Sequence, residues 1–434
     1  MHALVRRALC ALALTIPPLS FAPPARGDEP PLLTANGGIA LDRAALIRAV
    51  LARNPRVAAA QWAWHAEQAR YSQETALDDP MLGYSLRPRS FGSRTVDAAN
   101  DFEISQALPF PGKRSLRGAR ARANADGAAG DLETERLELA ARASILFDEY
   151  WLADRALETN ARHQALLGEA QRVALARYAA GVGSQQDVLG IESESAMLLH
   201  SAAELSAARR NTASGINTLL QREPNLPLPP APDAPLLAAS RALDEPTLVA
   251  QALARRPELR ARLATVRARE AEVALARREF LPDFVVRAGY ESSWQENPLK
   301  PMVGIELNLP LQLGRRRAAL EEAQATLARE KQLVLQVEGG VRLELAVAIE
   351  RVREAQHLLE ISQQLRLPPA RDRLAGAQAA FASGQATLLE LLDAERALRE
   401  AELADHQARA AISIRLAELA RALGEIAGAE ETQQ

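Results

Sequence analysis

Two rhythms alternate along the chain, and the pair is written twice. Period-two alternation of apolar and polar residues marks four short segments. Leu82, Tyr84 and Leu86 alternate with Gly83, Ser85 and Arg87, and Phe102 and Ile104 with Asp101, Glu103 and Ser105. Phe284, Val286, Ala288 and Tyr290 alternate with Val285, Arg287, Gly289 and Glu291; Val303, Ile305, Leu307 and Leu309 alternate with Gly304, Glu306 and Asn308. Each segment predicts a strand with one apolar and one polar face. Residues 87–100 and 292–300 hold Pro, Gly, Ser and Asn, as hairpin tips do. Helix-forming sequence fills the rest. A helix of about 38 residues is expected from Asp42 to Asp79 and again from Asp244 to Leu281. After each strand pair comes a very long helical stretch, Gly112 to Gly181 and Gly314 to Gly384, then a glycine turn and a shorter returning helix.

The repetition holds residue by residue. Leu41-Asp42 recurs as Leu243-Asp244, Arg53-Asn54-Pro55 as Arg255-Arg256-Pro257, Pro80 as Pro282, and Gly112 as Gly314. Tyr178 to Gly181 recurs as Phe381 to Gly384, Asp187-Val188-Leu189 as Glu390-Leu391-Leu392, and Glu192 as Glu395. The offset stays between 201 and 203 throughout, which chance matching would not sustain. Prolines at 224, 227, 229, 230, 232 and 235 favour extended backbone and separate the copies. The expected organisation is residues 28–221 as the first repeat, 222–242 as linker, 243–425 as the second repeat and 426–434 as a tail.

These lengths describe a tube. About 70 helical residues span roughly 100 Å, far beyond a globular helix. One such helix can lie beside two shorter ones placed end to end. The strands could close a soluble sandwich, but two hairpins make a small sheet for the end of helices this long. The alternative is a membrane barrel, apolar outward and polar inward, and such barrels need at least about eight strands. Four per chain must then be shared among copies, so the barrel reading itself predicts an oligomer.

Composition supports export and argues against an enzyme. Aromatics are only 4% and the net charge is −3, so nothing draws this chain to nucleic acid. Arg6 and Arg7, the apolar run from Ala8 to Ile16, and Ala25-Arg26-Gly27 predict a secretory signal over residues 1–27. That run is too short to span a bilayer, which takes about 20 residues. The one cysteine, Cys10, lies inside the signal and follows Leu9, where lipid attachment wants a small residue. The mature chain is therefore expected to carry neither lipid nor disulfide. His65, His163, His200, His357 and His406 are scattered, and no metal-ligand spacing, phosphate loop or nucleophile set stands out. No cofactor is expected.

The segment Gln106 to Arg114, with Leu108-Pro109-Phe110-Pro111-Gly112-Lys113-Arg114 at its centre, resembles the strand-to-helix junction of the TolC family of outer-membrane efflux proteins. Arg177 to Gly181 with Asp187 to Leu189, and Phe381 to Gly384 with Leu392 to Glu395, resemble that family's helical-hairpin tips. The resemblance covers about residues 40 to 425, duplication included. It implies an α+β membrane channel: a homotrimer whose 12-stranded β-barrel crosses the outer membrane of a Gram-negative bacterium and continues as a periplasmic helical coiled-coil tunnel. The partners it implies are a periplasmic adaptor, an inner-membrane pump of RND type, and outer-membrane lipid. The junction, together with Leu367-Pro368-Pro369, is most similar to the CzcC-like branch that exports heavy-metal cations. Drug efflux and type I protein secretion use the same architecture, and a periplasmic coiled-coil scaffold is the alternative from another class.

Particular residues acquire expected roles. Pro109, Pro111 and Pro310 end strands, because none can donate to a ladder. Gly112 and Gly314 follow, and then Lys113, Arg114, Arg117 and Arg315 to Arg317. Cations oppose a helix N-terminus, so either lipid headgroups or simple solvation is expected to accommodate them. Gly181 and Gly384 suit left-handed helix ends, and Ser184 and Thr387 suit helix caps. The resemblance implies that these tips dock the adaptor. It also makes Asp187, Glu390 and Asp393 a periplasmic gate, with Glu390 and Asp393 giving six carboxylates in a trimer. Family partners of Asp187, a Tyr and an Arg, are here Phe381 and Ala386, which removes that hydrogen-bonded lock. Pro368 and Pro369 are expected to kink or interrupt the second long helix.

Overall fold

The computed structural model describes residues 40–87, 99–232, 243–291 and 300–427. The expected signal segment 1–27, the strand-tip residues 88–98 and 292–299, linker residues 233–242 and the end of the tail lie outside the described residues.

The first repeat contributes α1 (Arg43–Arg53), α2 (Pro55–Thr75), β1 (Met81–Arg87), β2 (Ala99–Leu108), α3 (Lys113–Ala179) and α4 (Gln185–Leu219). The second contributes α5 (Glu245–Arg255), α6 (Pro257–Arg278), β3 (Asp283–Glu291), β4 (Lys300–Asn308), α7 (Leu313–Ile361), a π-helical turn (Ser362–Arg366), α8 (Leu367–Ala382) and α9 (Leu388–Leu423).

The expected single helix at the start of each repeat is two helices. Pro55 and Pro257 open α2 and α6 at a position that needs no N–H. Each also pushes the residue before it to extended backbone, Asn54 at ψ 126° and Arg256 at ψ 120°. Both breaks reach the end of the repeat's own returning helix. Asn54 Nδ2 donates to Leu219 O at 3.0 Å, and Arg256 Nη1 donates to Ala422 O at 3.2 Å. The exposed carbonyls of a helix end thereby gain partners.

The 67 residues of α3 run unbroken, about 100 Å at the helical rise. Its early part lies against α2, where Arg120 pairs with Glu74 at 2.9 Å, and its late part against α4, where Gln171 reaches Glu192 at 3.3 Å. One long helix thus lies beside shorter ones in series. α6 and α9 each pack against both α3 and α7. Between these ends Arg43 binds Asp148 through two contacts, at 2.5 and 3.1 Å, and Ser413 Oγ donates to the same carboxylate at 2.9 Å. All three side chains are buried, and they pin α1, α3 and α9 together. Residues 229–232 run along α3, with Tyr150 and Trp151 donating to Pro229 O and Pro232 O, both at 3.1 Å.

The second long helix is interrupted, as its prolines require. Pro368 has no N–H to give to the carbonyl four residues back, and the chain widens into a π turn at Ser362–Arg366 before α8 begins.

The four strands form one antiparallel sheet in the order β1-β2-β3-β4, so the repeats meet at β2 and β3. The register sets Leu82 opposite Ile104, Ile104 opposite Ala288, and Ala288 opposite Val303. One face is therefore apolar across all four strands.

α3 and α6 approach at Gly130, where a Cβ would stand 2.8 Å from Ala261 Cβ and 2.9 Å from Pro257 O. Neither neighbour is a flexible chain end. Gly130→Leu is expected to destabilise the protein by about 1–3 kcal/mol, read as a lower midpoint in thermal denaturation. The exposed Gly340→Leu serves as control and should leave the midpoint nearly unchanged.

Candidate functional site

The site has three parts: the sheet, the corners where it meets the helices, and the hairpin tips. On the apolar sheet face Leu82 is 80% exposed, Val303 79% and Ile305 69%. Each large apolar side chain left wet forgoes roughly 1.5–3 kcal/mol. Tyr84 and Phe102 touch on this face with ring centres 5.0 Å apart. The soluble-sandwich expectation is not met here, because no second layer among the described residues covers these side chains. The opposite face is polar and knitted. Arg287 pairs with Glu103 at 3.0 Å and with Glu306 at 2.5 Å, and Ser85 donates to Asp101 at 3.0 Å. β1 and β4 are the two edges, each paired on one side only.

At the first corner β2 ends at Leu108 and Pro109 follows. Gly112 adopts φ +90°, and a Cβ there would lie 2.2 Å from the Arg278 guanidinium, which donates to Pro111 O. Lys113 turns away from any headgroup. It is 1% exposed, and its Nζ pairs with Asp283 at 2.9 Å and Glu279 at 3.4 Å. Asp283 also accepts from Phe110 N at 2.7 Å, and Arg114 donates to Thr75 O at 2.9 Å. Neither the headgroup contact nor the solvation expected for this cation applies to Lys113, which instead clamps the two repeats together. The helix-dipole objection to a cation is met by two carboxylates at bonding distance.

The second corner is not a copy of the first. Gly314 has open space around it, and Arg316 donates to Glu279 O at 2.6 Å. Leu309 and Leu311, which flank Pro310, are exposed together with Leu313, Arg315 and Arg317.

At the tips Gly181 and Gly384 have φ of 73° and 78°, the left-handed region that glycine adopts without strain. Ser184 and Thr387 cap the returning helices, and each cap is a reciprocal box. Asp187 accepts from Ser184 N at 3.3 Å, and Glu390 accepts from Thr387 N at 2.8 Å. Both expected gate acids are exposed: Glu390 caps its own helix, and Asp393 lies 3.9 Å from Arg396. Reading the sequence for gate acids overlooked that Ser184/Asp187 and Thr387/Glu390 sit at capping-box spacing.

A different contact joins the two hairpins near their tips. Arg177, at the end of α3, donates through Nη1 to Phe381 O at 2.5 Å. Its guanidinium also lies 5.1 Å from the centre of the buried Phe381 ring. One residue of the first hairpin thereby grips the last turn of α8 in the second.

Among the described residues, no helix is long and apolar enough to cross a membrane, and no group of three or more ligating side chains could hold a metal. A sheet with a bare apolar face, continued by helical rods, is the fold of outer-membrane channels. The fold is similar to that of the outer-membrane channel OprN at 20% identity, with a TM-score of 0.73 over 88% of this chain and 89% of that one. It is similar to CusC at 17% identity, with a TM-score of 0.74 over 91% and 95%. VceC of Vibrio cholerae gives 17% identity and a TM-score of 0.73 over 88% and 96%. No curated protein matches the chain in a sequence search. Residues 248–425 match the family described as outer membrane efflux protein.

Removing the grip tests its role. Arg177→Ala is expected to loosen the hairpins by about 1–2 kcal/mol, read as a lower midpoint in thermal denaturation. An unchanged midpoint would mean that this contact does not hold the hairpins together.

Proposed function

We propose that three copies close into one duct, with twelve strands in the outer membrane and the helices forming a periplasmic tunnel. The observation that carries this reading is the sheet: among the described residues of one protomer its apolar face has no cover and its two edges have no partner. The helices support it independently. Trp62 on α2 and Leu189, Met197 and Leu199 on α4 are exposed, as are Leu335, Leu343 and Leu358 on α7 and Leu365 in the π turn. These residues mark the two margins of the helical layer. The margins lie in the same order as the sheet edges, since α2 leads into β1 and α7 follows β4. One rotation that brings β4 to the next copy's β1 also brings α7 to its α2 and α4. Head-to-tail contacts of this kind make closed rings.

In this reading Leu309, Leu311 and Leu313, with Arg315 and Arg317, sit where the barrel leaves the bilayer and meet lipid at its periplasmic face. The tips with Gly181, Ser184, Gly384 and Thr387 dock a periplasmic adaptor, which joins the duct to an inner-membrane pump of RND type. Asp187, Glu390 and Asp393 form the periplasmic gate, with Asp187 and Glu390 also capping the tips and Asp393 close to Arg396. The junction from Phe110 to Arg114 and the Leu367-Pro368-Pro369 run support the CzcC-like branch and heavy-metal cations as cargo. Residues 1–27 serve as a cleaved signal peptide.

Mass measurement of the purified chain in detergent is expected to give a trimer recovered from the outer-membrane fraction; a soluble monomer would end the channel reading. A deletion strain is expected to lose resistance to heavy-metal salts and keep resistance to drugs. The reverse pattern would assign the chain to drug efflux instead.

A further inference from the structure

A layer of charge crosses the two hairpins between the tips and the Arg43 pin, and the duct reading does not use it. At its centre is His163 on α3, 1% exposed. Its Nδ1 lies 2.8 Å from Glu395 Oε1 and its Nε2 3.4 Å from Glu402 Oε2, both on α9. A neutral imidazole has one N–H and one lone pair, so it can donate to only one of the two carboxylates. The other nitrogen would then face an anion with its lone pair. Only the doubly protonated ring suits both neighbours.

The layer continues to either side. On α3, Arg162 lies 3.2 Å from Glu402. On α9, Arg399 stands 3.6 Å from Glu395 and 3.3 Å from Glu194 of α4, which Arg396 also holds at 2.5 Å. Arg371 on α8 adds positive charge near Glu402. His406, further along α9, lies 3.1 Å from Thr159 Oγ1, and burial keeps it below its ordinary pKa, so it stays neutral. The connection therefore runs from α4 through α9 to α3, which are the two hairpins.

We propose that His163 is a pH-sensitive staple: its imidazolium ties the second hairpin to the first, and loss of its proton at alkaline pH releases that hairpin. The direction follows from the surroundings. Burial pulls the His163 pKa down, but the hydrogen bonds and charges of Glu395 and Glu402 outweigh it, leaving the pKa raised. A raised value means the contribution is fully present below about 6.5 and is lost as pH climbs through the folded-state value. On the acid side, the hydrogen bond with His163, acting against burial and helped by Arg162 and Arg371, holds Glu402 below its ordinary value. The Glu402 side of the staple therefore persists through mild acid and weakens as pH falls through that lowered value. The second hairpin is the one free to respond, because its long helix is interrupted at Ser362–Arg366 while α3 is continuous.

The inference rests on the channel reading for one of its two readouts. The first is planar-bilayer conductance of the full-length protein from about pH 6.5 to about pH 9, for wild type, His163→Gln and His163→Lys. The second is the distance between spin labels on cysteines at Arg172 and Gln378, with labelled chains diluted among unlabelled ones. Wild type is expected to gain conductance several-fold toward alkaline pH, with the label distance widening in step. H163Q should be high and flat across the range, and H163K should stay low. A wild type flat in both readouts, or an H163Q that keeps the wild-type profile, overturns the staple. If wild type never conducts, the channel reading fails, and the label distance alone decides the staple. If H163Q does not fold, an H163K that follows the wild-type rise overturns it.

Discussion

A helix of 67 residues holds its shape only if something covers it along its whole length, since backbone hydrogen bonds alone leave a helix marginal in water. The rest of the structure answers that demand on α3. α1, α2 and α4 take turns on it, α6 and α9 share it with α7, and apolar clusters follow its length in place of one central core. Where the cover must come close, α3 offers Gly130; where it must not slide, Arg43, Asp148 and Ser413 fix the level. The strands are carried at the end of these rods, clamped by Lys113 to Asp283 of the other repeat.

The duplication, the four strands and the glycine-ended hairpins were legible because each depends on local pattern. Alternation at period two survives whatever packs nearby, and Gly181 and Gly384 are read from backbone geometry alone. What escaped reading depends on partners distant in sequence. Lys113 looked like a surface cation because Asp283 lies 170 positions away. His163 looked stray because its carboxylates lie 232 and 239 positions away. Pro55 and Pro257 are different: the signal was local and sufficient, and a run of good helix formers hid it. The capping boxes were local too, but a role in the mouth seemed the better use for Glu390.

The repeats diverge where one needs strength and the other compliance. The first corner holds Gly112, Lys113 and Arg278 in close contact, while Gly314 stands in open space. The first long helix is continuous, and the second passes through a π turn before Pro368 and Pro369. The tips keep matched caps, yet only the first hairpin supplies the gripping side chain, Arg177, and only the second supplies the ring it covers, Phe381. Two copies of one plan have become a continuous rod and an interrupted one.

The unbroken length of α3 makes it a ruler with a phase. Removing one residue would shorten the rod by about 1.5 Å and turn everything beyond the cut by about 100°. Only deletions near 7, 11 or 18 residues return the far end to nearly the same heading. A cut on α3 alone would also misalign its neighbours, so α4, α7 and α9 would need matching cuts. The offset of 201 to 203 between the two copies reads naturally as the trace of that requirement. Lineages of this protein should therefore differ in height by paired steps, taken in both halves at once.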